Sequence, residues 1–375
     1  MRNTIYRYFF KEFISFFALI LISISVIVWI VQAVNYLDFV TEDGHAFSVY
    51  FSYSILNIPK VLNRLIPLVF LISLLVIILQ FEKNNELIAF WTSGLNKIKV
   101  VNLAFKISIL ITLFQLFLSL VVSHSSLHFA RSILKSSSIS LLPSLVKEKK
   151  FNDTVKDLTV FVEEKKQNGD MTNIFLRDDT SSAEASKTIV AKKGYMTKRN
   201  GQNILVLYDG TIQTEKKNSK ISFLNFNQTE INLSSFSTKT TTYPKIQERG
   251  TLALLNCIKP FLNEANTTLK QYQCRSRIDD ITAEINRRVG MPLYIPIVSI
   301  IICYLLSTKR ENKYYFLNKY IIFLIAFTVL VFAEIMVRYS GQSFLNSVIY
   351  YSLPPTLILL NYLYLIRIFK YENLK

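Results

Sequence analysis

The sequence predicts an α-helical membrane protein with six transmembrane helices, three on either side of an inserted all-β, jelly-roll-like domain. Three observations predict it. Hydrophobic residues make up 51% of the 375-residue chain and charged residues only 18%. Six apolar runs reach the roughly 20 residues a helix needs to cross about 30 Å of hydrocarbon with its backbone polar groups satisfied internally. Between the third and fourth runs the composition turns to Lys, Asn, Ser, Thr and Asp, with short branched or aromatic stretches. A disordered chain needs low hydrophobicity, so that class is excluded, and a mean hydropathy of +0.30 argues against an ordinary soluble enzyme.

The helices follow in order. Phe13 to Leu37 holds no charge between Glu12 and Asp38. It exceeds the roughly 7–15 apolar residues of a secretory signal, so it reads as a retained first helix. Leu65 to Phe81 is the second, extended upstream through Arg64 towards Phe51. Val100 to Val122 is the third, with Lys106 near its start placed to snorkel to the interface. Val289 to Thr308, Tyr320 to Val337 and Phe344 to Ile366 complete the set. Pro354-Pro355 removes two backbone donors from the last and is expected to kink or break it.

Basic residues set the orientation, because short loops rich in Lys and Arg stay in the cytoplasm. Arg2, Arg7 and Lys11 precede helix 1; Lys83, Lys97 and Lys99 lie between helices 2 and 3; Lys309, Arg310, Lys313 and Lys319 lie between 4 and 5; Arg367, Lys370 and Lys375 close the chain. Asp38 to Tyr50 carries no Lys or Arg, and Arg338 is the one basic residue between helices 5 and 6. Both termini are therefore expected in the cytoplasm and the insert outside it. The formal net charge of +17 is then largely a cytoplasmic collar against anionic lipid, and it calls for no nucleic-acid partner.

The expected domains are residues 1–140 with helices 1–3, 141–245 as the β-domain, 246–288 as linker and amphipathic helix, and 289–375 with helices 4–6. Within the β-domain, Leu158 to Val162, Asn173 to Leu176, Thr188 to Ala191, Ile204 to Tyr208, Ile221 to Phe226 and Ile231 to Leu233 have the length and branching of strands. Asn168-Gly169-Asp170, Asn200-Gly201 and Asp209-Gly210 read as turns between them. Short strands at such spacing suggest an antiparallel sandwich or roll. Ser234 to Pro244 is a Ser/Thr-rich linker, and Thr268 to Val289 reads as a helix with Ile278, Ile281, Ile285 and Val289 on one face.

Catalytic motifs are missing from the sequence. No two of the nine glycines are spaced as a P-loop, GxGxxG or GxSxG requires, so the chain does not hydrolyse ATP by that route. No catalytic constellation and no metal site emerge: His124 and His128 form an i,i+4 pair, but no third ligand and no HExxH glutamate accompany them. No bound cofactor is implied. Cys257, Cys274 and Cys303 form no CxxC; a Cys257–Cys274 disulfide is one option, and Cys303 sits in an apolar run.

Ionisable groups inside apolar runs are more informative, because a charge there is costly. Glu334 and Arg338, four residues apart in helix 5, read either as a self-neutralising pair or as a polar spot lining a cavity for a phosphorylated or sugar-bearing substrate. Lys60 and Arg64, spaced alike near the outer end of helix 2, read as snorkelling anchors or as contacts to an anionic ligand. Asn84 to Asn96 is the most specific stretch. It reads as a short cytoplasmic helix that starts near Asn84 or Asn85 as N-cap, carries Glu86 in its first turn and ends at Gly94. Leu87, Phe90 and Trp91 share one face, suited either to docking in a partner's groove or to lying on the membrane surface.

These residues together resemble the LptF/LptG (YjgP/YjgQ) family of lipopolysaccharide-export ABC-transporter permeases, over essentially the whole chain. The resemblance is carried by Tyr6-Arg7-Tyr8 and Lys11-Glu12, Ile58-Pro59, Ile66-Pro67-Leu68, Asn85-Glu86-Leu87 and Ser93-Gly94-Leu95. It continues through Thr159-Val160-Phe161-Val162-Glu163, Asn173-Ile174-Phe175-Leu176, Ile189-Val190-Ala191 with Gly194, and Ala283-Glu284-Ile285-Asn286-Arg287-Arg288 with Pro292-Leu293. The β-domain strings lean towards the LptF-like branch.

The resemblance implies a subunit of the bacterial inner membrane with a periplasmic jelly roll. It implies a heterodimer with an LptG-like permease, an LptB-like ATPase dimer that hydrolyses ATP, LptC-like and LptA-like periplasmic proteins, and lipopolysaccharide as cargo. The 84–96 helix would couple to the ATPase through Glu86, Leu87, Phe90, Trp91 and Gly94. Substrate-cavity candidates are Gln32, Asn35, Lys60, Arg64, Glu334 and Arg338. The family often carries basic residues on helix 1 near the cavity mouth; Gln32 and Asn35 stand there in this chain, which weighs against a phosphate clamp built on that helix. Readings from other classes are a membrane-anchored sensor of an envelope ligand, a membrane-embedded transferase and a lipoprotein-export permease.

Overall fold

The structure, a computed structural model of the whole chain, describes residues 2–41, 46–140, 148–155, 158–166, 170–179, 185–199, 202–216, 221–232, 245–262, 278–307 and 315–372. Among the described residues, six helical stretches are long and apolar enough to cross a membrane: Thr4–Asn35, Phe47–Lys83, Lys97–Leu134, Ile278–Ser307, Phe316–Ser340 and Phe344–Lys370. They extend most of the predicted runs, because the flanking turns are helical yet too polar to read as hydrocarbon-spanning. Lys309, Arg310, Lys313, Cys274, the 234–244 linker and residues 268–277 of the expected helix lie outside the described residues.

In chain order the helices are α1 (Arg2–Asn35), α2 (Asp38–Thr41), α3 (Phe47–Leu56), α4 (Ile58–Lys83), α5 (Glu86–Thr92), α6 (Lys97–Phe117), α7 (His124–Ser140), α8 (Thr251–Leu262), α9 (Ile278–Gly290), α10 (Ile295–Ile302), α11 (Tyr315–Ser340) and α12 (Phe344–Glu372). A π-helical stretch, Leu118–Ser123, joins α6 to α7, and 3-10 turns flank α10. The chain divides into two compact units, one of Met1–Ile30, Asn57–His128 and Lys245–Lys375, the other of Val31–Leu56 and Phe129–Pro244.

The first unit is the helical bundle. Every residue of α10, Ile-Pro-Ile-Val-Ser-Ile-Ile-Ile, is buried, so a segment apolar on all sides becomes the bundle's axis. Phe70 and Leu74 of α4, Ala104 and Ile107 of α6, and Ala326 and Ala333 of α11 belong to the same core. Aromatic rings fasten α1 to α4: Phe13 meets Phe70 edge-on at 5.6 Å, and Phe9 and Tyr8 meet Phe81 at 5.4 and 5.7 Å. Pro354-Pro355 does not break the last helix, which runs unbroken from Phe344 to Glu372. Proline at 354 deprives the Tyr350 carbonyl of its helical amide partner, and the buried Tyr294 hydroxyl donates to that carbonyl at 3.1 Å instead. A second polar staple centres on buried Asn286: its Nδ2 donates to Ser340 Oγ at 2.8 Å, and the Tyr351 hydroxyl donates to its Oδ1 at 3.1 Å.

The second unit holds the β-domain. Strands β1 (Phe151–Val155), β2 (Leu158–Lys165), β3 (Asp170–Asp178), β4 (Ala185–Arg199), β5 (Gln202–Lys216) and β6 (Ile221–Asn232) form one antiparallel sheet in sequence order. Its apolar face, with Val160, Val162, Ile174, Leu176, Ile189, Leu205 and Leu207, makes one core. Arg199 pairs with Gln202 on either side of Asn200-Gly201, which lies outside the described residues, as does Asn168-Gly169. The two runs expected as strands from Ile221 and from Ile231 are the single strand β6; Leu233 falls outside the described residues.

Asp209-Gly210 is not a turn but lies inside β5. The ladders omit one position on each successive strand here, Glu163, Asn173, Lys192, Asp209 and Asn227. Asn173 and Asp209 sit on this row with φ of 47° and 50°. A left-handed residue interrupts the two-residue alternation, which keeps Met171 and Ile174, three apart, on one apolar face. Gly210 has its own reason to be glycine: a Cβ there would strike the Val190 carbonyl and the Phe226 ring.

Candidate functional site

The first candidate is α5. Asn84 and Asn85 are the only residues between α4 and α5, and Asn85 turns the chain with a left-handed φ of 60°, which asparagine tolerates. Asn85 holds the N-cap position without a side-chain cap bond. Asn84 Nδ2 donates instead to Glu86 Oε1 at 3.1 Å. The far end matches the sequence reading: Gly94 has a φ of 78°, its N–H donates to the Trp91 carbonyl at 3.0 Å, and the Leu95 N–H donates to Phe90 at 3.2 Å. This is the paired bonding of a Schellman ending, in which the residue after the glycine packs against the last turn.

That packing corrects the expected face. Leu87 and Phe90 are buried in the bundle core, with Phe90 edge-on to Phe81 at 5.8 Å, and Trp91 is half-buried against the same core. The outward face is Ile88, 58% exposed, with Ala89 and Thr92, and Glu86 stands half-buried at its edge. The bundle itself offers the apolar surface that Leu87 and Phe90 cover. Helix α5 is thus held against α4 by the buried side chains of its own inner face.

The second candidate is a polar cavity of 370 Å³ within the first unit, walled by α4, α6, the π-helical stretch, α9 and α11. Lys60, Asn63 and Arg64 line it from α4, Gln115, Ser119 and Ser123 from the third span, and Glu284, Arg287, Arg288 and Glu334 from α9 and α11. The widened turn from Leu118 to Ser123 includes two of these positions, Ser119 and Ser123. Lys60 and Arg64 do face a shared cavity, and among the described residues no carboxylate lies within ion-pair distance of either.

Glu334 does not pair with Arg338. Arg287 Nη2 donates to Glu334 Oε1 at 3.0 Å, and Arg287 also stands 3.8 Å from Glu284. The i,i+4 reading fails because α9 brings a closer guanidinium to Glu334 than its own helix does. Arg338 lines a neighbouring cleft of 600 Å³ that shares Glu284, Arg287 and Glu334 with the cavity. Gln32 and Asn35 belong to the second unit. His124 lines the cavity, and among the described residues no three His, Cys, Asp or Glu side chains gather as metal ligands.

Arg288 is the buried keystone of the wall. Its Nε donates to Glu284 at 3.0 Å, Nη1 to the Arg249 carbonyl at 3.0 Å and Thr251 Oγ1 at 2.9 Å, and Nη2 to the Gln247 carbonyl at 3.0 Å. Helix α9 therefore buries polar residues beside its apolar ones: Asn286 and Arg288 are buried along with Ile281, while Asp279 and Asp280 are exposed. The signal in the sequence was Glu284 placed three and four residues before Arg287 and Arg288, with Gln115 alone in an apolar run. Cys257 is disulfide-bonded, and Cys303 is a free, fully buried thiol.

The family described as lipopolysaccharide export system permease LptF/LptG matches residues 7–368. An uncharacterized protein of Rickettsia prowazekii (strain Madrid E), RP871, is 26% identical over 291 residues, covering 77% of each chain. With nearly its whole length matched, the chain belongs to the lipopolysaccharide export system permease LptF/LptG family.

Proposed function

We propose that this permease is the LptF-like membrane subunit of an ATP-driven complex that lifts lipopolysaccharide from the outer leaflet of the bacterial inner membrane and hands it to a periplasmic bridge. Each buried methylene costs about 0.8 kcal/mol to expose, so a lipid with several acyl chains leaves a bilayer only along a shielded path and with an external energy source. No P-loop spacing exists in this chain, so the energy comes from a separate LptB-like ATPase pair. An LptG-like permease completes the membrane pore, and LptC-like and LptA-like proteins receive the lipid. Both termini lie in the cytoplasm and the β-domain in the periplasm. The Cys257 disulfide supports an oxidising location for the stretch before α9.

The observation that carries the coupling is the rigid seating of α5. Two residues join it to α4, its inner face is locked by Phe90 on Phe81, and its outer face offers Glu86, Ile88 and Thr92. A push on that face is passed directly into α4, whose other end carries Lys60 and Arg64. The test is to purify the tagged protein from its native membrane in mild detergent and assay bound ATPase with and without Glu86→Lys. Co-purification of a P-loop ATPase and a second six-span subunit, with the ATPase lost in the variant, supports the reading. Recovery of the protein alone under conditions that keep such complexes intact refutes it and favours the sensor reading.

A further inference from the structure

We propose that the cavity between α4, α6, α9 and α11 binds a phosphate monoester flanked by hydroxyl groups, and that Glu334 competes with that phosphate for Arg287. Charge is the first argument. Four cationic side chains and two carboxylates line the cavity, which leaves two positive charges uncompensated at its wall. A phosphate monoester carries about −1.5 to −2 at neutral pH and matches that surplus. Lys60 and Arg64 have no carboxylate of their own among the described residues, and a cluster of amines and guanidinium groups is the usual partner of such a dianion.

Orphaned polar atoms are the second, independent argument. Gln115 is 2% exposed; its Nε2 donates to the Asn63 carbonyl at 3.0 Å, and its Oε1 has no partner. Asn63 Oδ1 and Arg287 Nε are likewise buried without partners, and all three residues line this cavity. Buried polar atoms are nearly always bonded, so these mark where ligand groups go. Two carbonyl-type acceptors call for hydroxyl donors, and the guanidinium Nε calls for an oxyanion. A sugar phosphate presents both.

The third argument is the placement of Glu334. Its carboxylate holds Arg287 through one contact and is half exposed, so an incoming phosphate can take its place on the guanidinium. The cleft that Glu334 shares with Arg338 offers the displaced carboxylate a second cation, one helical turn along α11. Glu334 thus alternates between Arg287 and Arg338 as the phosphate comes and goes.

The phosphate chemistry stands on this cavity alone; identifying its bearer as the head group of the exported glycolipid rests on the transport reading. The test uses the full chain in phosphatidylcholine nanodiscs and measures binding of diphosphorylated lipid A, dephosphorylated lipid A, phosphatidic acid and inorganic phosphate. Wild type should hold phosphorylated lipid A at least about tenfold more tightly than the dephosphorylated form. Arg287→Gln and Lys60→Gln should each abolish most of that preference, Glu334→Gln should tighten binding several-fold, and Gln115→Leu should weaken lipid A but leave phosphatidic acid unchanged. Unaltered thermal stability of Lys60→Gln separates lost binding from lost folding. If wild type ignores the phosphate, or Glu334→Gln fails to tighten, the proposal falls. Phosphatidic acid and inorganic phosphate bound with this same dependence, but lipid A not bound, keeps the phosphate site and sinks the transport reading. Lipid A bound with no dependence on Arg287 or Glu334 sinks the site and leaves transport standing.

Discussion

Phe90→Ala separates what α5 does for the fold from what it does for a partner. The ring is 7% exposed and lies edge-on to Phe81 at 5.8 Å. Truncating a buried phenylalanine costs about 3–5 kcal/mol, of which an aromatic pair of this geometry supplies about 0.5–1.5. Because Leu87 still anchors the helix, a loss of about 3–4 kcal/mol is expected, felt mainly as local opening of residues 86–95. At about 1.4 kcal/mol per decade, amide exchange in that stretch should quicken by roughly two to three orders of magnitude. Hydrogen exchange read by mass spectrometry measures this directly. Ile88→Ala, on the exposed face, should leave exchange unchanged and weaken ATPase association. Unchanged exchange in Phe90→Ala together with lost ATPase association would refute the argument, because the ring would then face the partner rather than the bundle.

Arg288→Met takes from Glu284 its closer guanidinium and strands the Gln247 and Arg249 carbonyls; a loss of about 3–5 kcal/mol should appear as a lower melting temperature and faster proteolysis of residues 245–262. Tyr294→Phe leaves the Tyr350 carbonyl beside Pro354 unbonded and should cost about 1–3 kcal/mol, seen as a lower melting temperature in detergent. Gly210→Ala pushes a methyl into the Val190 carbonyl and the Phe226 ring, and about 1–3 kcal/mol of β-domain stability should go with it, read by exchange of β4 to β6. Maleimide labelling under native conditions should leave Cys257 unmodified until a reductant is added and Cys303 unmodified either way, because one is disulfide-bonded and the other fully buried.

Runs of apolar residues predict spans well because lipid imposes one demand everywhere: a helix long enough to keep its backbone groups bonded. The Gly94 ending of α5 was legible for a similar reason, since it rests on local backbone geometry. Asp209-Gly210 misled because the same residues that permit a turn also permit a left-handed crease within a strand. Pro354-Pro355 misled because the carbonyl it orphans is bonded by a tyrosine from another helix.

Composition and local spacing determined the six apolar spans, the β insert, the ending of α5 and the family resemblance. Tertiary structure alone decided which charges meet. Glu334 chose Arg287 over its own helical neighbour, Lys60 and Arg64 came to share a cavity with Gln115, and Leu87 and Phe90 turned inward. Side chains on one helix see each other through sequence spacing, but an ion pair or a ring contact is fixed by the nearest partner in space, and that partner here sits 47 residues away in the chain for Glu334 and 9 for Phe90.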